Sequence, residues 1–144
     1  MKALAIAAIA ALAFGALPPQ PVAASATPEL DAYAAVVVNA AQSSARHWRA
    51  LQNCDAWPCM SQRFVRIDGV LTAGIQWLYQ HPALPCFQEQ QQKVTKVLQE
   101  LRGGYRQMSL AIQTDSAWRK RVALTKIEKA RDAVDNLPPH SCPL

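Results

Sequence analysis

MSQRFVRIDGVLTAGIQWL, residues 60–78, places Met60, Phe64, Ile67, Leu71, Gly74 and Leu78 three or four positions apart, with charged or polar residues among them. Apolar or small residues at that interval fall on one face of an α-helix, so the run predicts a helix with a single buried stripe. It is stopped by HPALP, residues 81–85, whose two prolines cannot supply the amide hydrogens of a continuing helix.

The same spacing recurs on both sides. Upstream, Leu30, Ala34, Val37, Ala41, Ser44, Trp48 and Leu51 form a stripe of about six turns, opened by Thr27 as N-cap, Pro28 at the first helical position and Glu29 after it. Downstream, Phe87, Gln91, Val94, Leu98, Leu101, Tyr105, Met108 and Ile112 form a third stripe. Gly103 and Gly104 fall inside it and each costs about 1 kcal/mol relative to alanine, so the third helix is expected to kink or divide there. A fourth starts near an Asp115 or Ser116 cap, carries Ala123, Ile127, Ala130, Val134 and Leu137, and ends at Pro138 and Pro139. Strand signals are nearly absent. Four amphipathic helices with short connections predict an all-α protein, an antiparallel up-down bundle stapled by disulfides, formed by one domain over residues 27–144.

Residues 1–26 read differently. Lys2 precedes an apolar run from Ala3 to Leu17 of about 15 residues, and PPQPVAASA follows with the small residues a signal peptidase needs. The run is shorter than the roughly 20 residues of a membrane-spanning helix. The expectation is a cleaved secretory signal and a periplasmic or secreted product with no membrane insertion after cleavage.

Four cysteines in an oxidising compartment are expected to pair. In an up-down bundle Cys54 and Cys59 share one pole, and Cys86 and Cys142 share the other. A straight second helix of about 18 residues holds Cys59 roughly 27 Å from Cys86, so the expected bonds are Cys54–Cys59 and Cys86–Cys142. On the chain-entropy model the short ring contributes roughly 2 kcal/mol and the long one roughly 4 kcal/mol. The short ring encloses DAWP, so Asp55 and Trp57 are expected on a constrained, exposed loop, and with Arg49 and Arg63 beside it they form the candidate partner-binding set. The alternative is that Trp57 caps the end of the core and the ring only orders a turn.

The remaining chemistry is sparse. His81, Cys86, His140 and Cys142 gather at one pole, but their spacings match no common zinc finger, and no metal or cofactor is expected. CDAWPC has four residues between its cysteines where a redox site has two, and neither G-x-S-x-G nor a P-loop occurs. Without Lys2 the chain has 14 basic against 10 acidic residues, and ten of the 14 lie between Lys93 and Arg131. Acidic residues are interleaved with them, as on a solvated helix surface, and nucleic acid is not expected as a partner. One enzyme reading persists: secreted chorismate mutases are helical and disulfide-bonded, and Arg49, Arg63, Arg66, Lys93 and Arg106 would have to converge inside the bundle to bind a dicarboxylate.

From Cys59 onward, Phe64, IDGVL at 67–71, LPCF at 84–87, QQQKVTKVLQEL at 90–101 and Cys142 carry a resemblance to Rap1a/Tai4-type periplasmic immunity proteins. Those proteins protect bacteria from type VI secretion amidases. Here proline precedes Cys86 instead of following it, and Cys54 is additional. The resemblance implies a non-catalytic protein that inhibits a secreted toxin or hydrolase, working as a small homo-oligomer. An envelope stress or chaperone-like bundle is the other alternative.

Overall fold

The periodic runs fold as the helices they predict. The computed structural model describes residues 28–136: α1, Pro28–Ala50; α2, Trp57–Gln80; α3, Gln88–Gln113; and α4, Ala117–Asp135, with short 3-10 turns at Leu51–Asn53 and Pro85–Phe87. No strand occurs among the described residues. The sequence expectation of an all-α, antiparallel, disulfide-bonded bundle holds. Leu137 and the expected signal segment lie outside the described residues.

Three contacts fix the antiparallel registers. The Trp48 and Phe64 rings lie 6.4 Å apart across α1 and α2, Arg102 of α3 reaches Asp68 of α2, and Gly104 of α3 faces Ile127 of α4. α1 packs on α2, α2 on α3 and α3 on α4. The fourth seam, between α1 and α4, is not closely packed and leaves a shallow apolar groove floored by Leu98, Leu101 and Tyr105. Its volume is about 50 Å³, room for only a few water-sized spheres.

This arrangement corrects three expectations. α3 runs unbroken through Gly103 and Gly104. The second glycine is demanded by packing, since a Cβ on Gly104 would stand 2.8 Å from Ile127 Cγ1, a distance that side chains do not tolerate. Second, α3 buries more than the single stripe expected of it: Thr95, Val97, Gly104 and Ala111 are buried as well. α3 is an inner helix of the row and has to cover both α2 and α4. Third, the buried face of α1 carries Tyr33, Ala40, Ser44, Ala45 and Trp48, whereas Ala34 is exposed. At 3.6 residues per turn a heptad-spaced stripe drifts, and Tyr33 is selected because its ring meets Phe87 edge-on at 4.5 Å.

α2 is straight-through, as the disulfide argument requires, and its Gly74 allows α1 to approach: a Cβ there would lie 3.0 Å from Ala40 Cβ. Buried Gln91 locks the connection to α3. Its Oε1 accepts from the Ala83 amide at 2.8 Å, and its Nε2 donates to the carbonyls of Leu78 and His81 at 2.7 and 2.8 Å. These bonds satisfy backbone groups that the prolines leave without helical partners.

Candidate functional site

The end of the bundle that holds the α1–α2 connection is built around the Cys54–Cys59 disulfide. α1 tightens into the Leu51–Asn53 turn, and the amide of Cys54 donates to the Leu51 carbonyl at 3.0 Å. Ala56 is extended and α2 starts at Trp57, with Pro58 in its first turn where a missing amide hydrogen costs nothing. The expected loop is therefore shorter than the sequence suggested: Trp57, Pro58 and Cys59 already belong to α2. The ring thus clamps the end of α1 to the first turn of α2.

Clamping decides where Trp57 points. Its ring centroid lies 6.5 Å from that of Phe64, which leads to buried Trp48 and then, 5.2 Å further, to Tyr105. The inner edge of Trp57 extends the aromatic core, yet the residue keeps 36% of its surface exposed. Both sequence readings of Trp57 thus describe one part of it. Asp55 and Arg49 are exposed and Arg63 is half-buried.

Arg63 stands in a cluster. The Trp48–Phe64 contact brings His47 of α1 within the field of Arg63 and Arg66 of α2 and of Arg46 on its own helix, and Arg49 follows in the last turn of α1. Burial, and then the charges of Arg63, Arg66 and Arg46, hold the imidazole of His47 below its ordinary pKa. Its neighbourhood is therefore a positive field. α2 carries one carboxylate, Asp68, and it is engaged elsewhere: it accepts from Arg102 Nε at 2.9 Å and from Arg106 Nη2 at 3.0 Å of α3. Bonding to Arg106 first, and to Arg102, holds the Asp68 pKa down to about 2.

The turn between α3 and α4 closes at the same end. Asp115 takes a left-handed φ of 46°, and Ser116 caps α4 by accepting from the Arg119 amide at 3.3 Å. Trp118, in the first turn of α4, is 65% exposed. Trp118 lies off the apolar stripe of α4, so helical spacing does not mark it, although a tryptophan off the stripe of an amphipathic helix is itself a signal of an exposed aromatic surface. Two partly exposed tryptophans therefore stand at the starts of α2 and α4, which run parallel from this pole.

Neither a protein-family model, nor a curated protein, nor a solved structure matches this chain.

At the opposite pole Cys86 is disulfide-bonded, and its expected partner Cys142 lies outside the described residues, as does His140. A bonded sulfur is no thiolate ligand. His81 stacks on Trp77 with ring centroids 4.2 Å apart and donates from Nδ1 to the Trp77 carbonyl at 2.9 Å. Among Arg49, Arg63, Arg66, Lys93 and Arg106 none is buried; Lys93 pairs with Glu89, and Arg106 with Asp68.

Proposed function

We propose that this protein is a non-catalytic protein-binding bundle of the bacterial periplasm that acts as an immunity protein, covering the active cleft of a secreted hydrolase. The observation that carries this reading is Trp57, held by the disulfide with a third of its surface in solvent. Tryptophan and arginine are the residues that dominate binding energy at interfaces, and a rigid turn gives up little conformational entropy on docking. Trp118 and the Arg46, Arg49, Arg63 and Arg66 group supply further anchors at the same pole. The resemblance from Cys59 to Cys142 and the apolar N-terminal run favour a toxin-neutralising role in the envelope.

The test uses the oxidised protein as bait in the envelope and secreted fractions of its own organism. A stoichiometric hydrolase whose activity falls to background when the protein is added supports the proposal. Retention of no stoichiometric protein, together with turnover of chorismate, would replace it with the enzyme reading.

A further inference from the structure

The α1/α2 seam beside the disulfide carries four arginines, and Asp55, exposed in the disulfide ring, is the one acidic residue between the two helices. Arg46, His47 and Arg49 lie in the last turns of α1, and Arg63 and Arg66 in the second and third turns of α2. The four arginines form no ion pair among the described residues, and Asp68 is tied to Arg102 and Arg106. The cations of α4 differ, because Glu128 and Asp132 are interleaved with them and Lys120 bonds Asp115. Arg46, Arg63 and Arg66 share the surroundings of His47 and pair with no carboxylate, so their mutual repulsion stabilises nothing in the fold.

We propose that this seam receives an acidic protein surface, with Arg46, Arg49, Arg63 and Arg66 binding the partner's carboxylates while Trp57 takes an apolar contact beside them. The inference rests on the protein-binding reading and specifies the partner's chemistry. Guanidinium groups bind carboxylates through paired hydrogen bonds, and a fixed group of them selects a carboxylate cluster of matching shape. The site is compact. Arg46 to Arg49 and Arg63 to Arg66 each cover about 4.5 Å of helix axis, the scale of two or three carboxylates and not of a stripe that tracks a nucleic-acid backbone. A second copy of this chain would bring the same positive charge to the contact, which disfavours self-association through the seam.

The probe is a capped deca-glutamate peptide titrated into the ¹⁵N-labelled oxidised protein, followed by amide and indole shifts. Saturable shifts confined to residues 45–50 and 62–67 and to the Trp57 indole are expected. The double variant Arg63→Glu, Arg66→Glu should weaken binding at least tenfold, whereas Arg119→Glu, Arg121→Glu should change it less than twofold. Shifts that follow α4, or equal binding by the Arg63/Arg66 variant, would overturn the proposal. Binding of phosphatidylglycerol vesicles with no response to deca-glutamate would assign the seam to lipid instead. A hydrolase bound by the protein with an affinity insensitive to the Arg63/Arg66 reversal would keep the binding function and discard the seam.

Discussion

Single residues at the disulfide pole separate folding from recognition. Trp57→Ala removes a ring whose inner edge touches only the rim of the aromatic core, and Trp118→Ala removes one that is mostly in solvent. Each is expected to change unfolding free energy by less than about 1 kcal/mol in urea titrations, while partner affinity falls at least tenfold for Trp57→Ala. A loss of several kcal/mol for Trp57→Ala with unchanged binding would make it a core residue. The two adjacent glycines of α3 make a sharper pair. Gly103 has no atom within 4 Å of the place its Cβ would occupy, so Gly103→Ala should stabilise by about 0.5–1 kcal/mol through helix propensity. Gly104→Ala has the same gain but drives a methyl into Ile127, and should cost about 1–3 kcal/mol net in the same titrations. The sequence presents these glycines as one helix-weakening pair. Only the position of α4 tells them apart, and that position is set by contacts distant in the chain.

At the scale of the element, α2 and α3 are joined across their polar edges by Asp68, Arg102 and Arg106. The folded pKa of Asp68 is held down to about 2 from an ordinary 3.8, so the contribution of the clamp is complete above pH 4. It is lost as the pH falls through 2, where the carboxyl is protonated in the folded state too. Arg106 is largely exposed, so solvent screening reduces the effect to about 1 kcal/mol. Stability measured between pH 4 and pH 2 should fall by about that amount more in the native protein than in Asp68→Asn; parallel curves would show that the clamp contributes nothing. The helices themselves were legible because the 3.6-residue spacing of α4, which packs on one neighbour, is unmixed with other demands, and the α2 stripe omits only Ile75 of its buried face. The stripe of α3 was half-read for the opposite reason, since Val97, Gly104 and Ala111 serve a second neighbour that local spacing does not announce. The start of α2 inside the CDAWPC ring was missed because proline reads as a break, although it suits the first turn of a helix.

For the whole molecule, the order of packing makes α2 and α3 the inner helices and α1 and α4 the outer ones, with the α1–α4 seam left as an apolar groove. α4 detaches by breaking its interface with α3, and α1 by breaking its interface with α2 and the Trp48–Tyr105 ring contact with α3, whereas an inner helix breaks two extensive interfaces. α1 is secured further by the Cys54–Cys59 ring at its C-terminal end, so it should open from the Tyr33 end, where its anchor is the edge-on contact with Phe87. Local opening free energies follow the number of buried interfaces, which ranks protection against hydrogen exchange. Residues 67–78 and 94–108 are expected to exchange only through global unfolding, and residues 33–41 by an opening at least 10-fold more frequent. Mass-spectrometric exchange on the oxidised protein reads this directly. If residues 33–41 exchange as slowly as 94–108, the α1–α4 seam is closed in solution, and the binding pole is then one end of a sealed four-helix ring. If they exchange first, the pole is carried by a rigid α2–α3 pair with its arginines on the better-clamped end of α1, so recognition and local opening occupy opposite ends of the same helix.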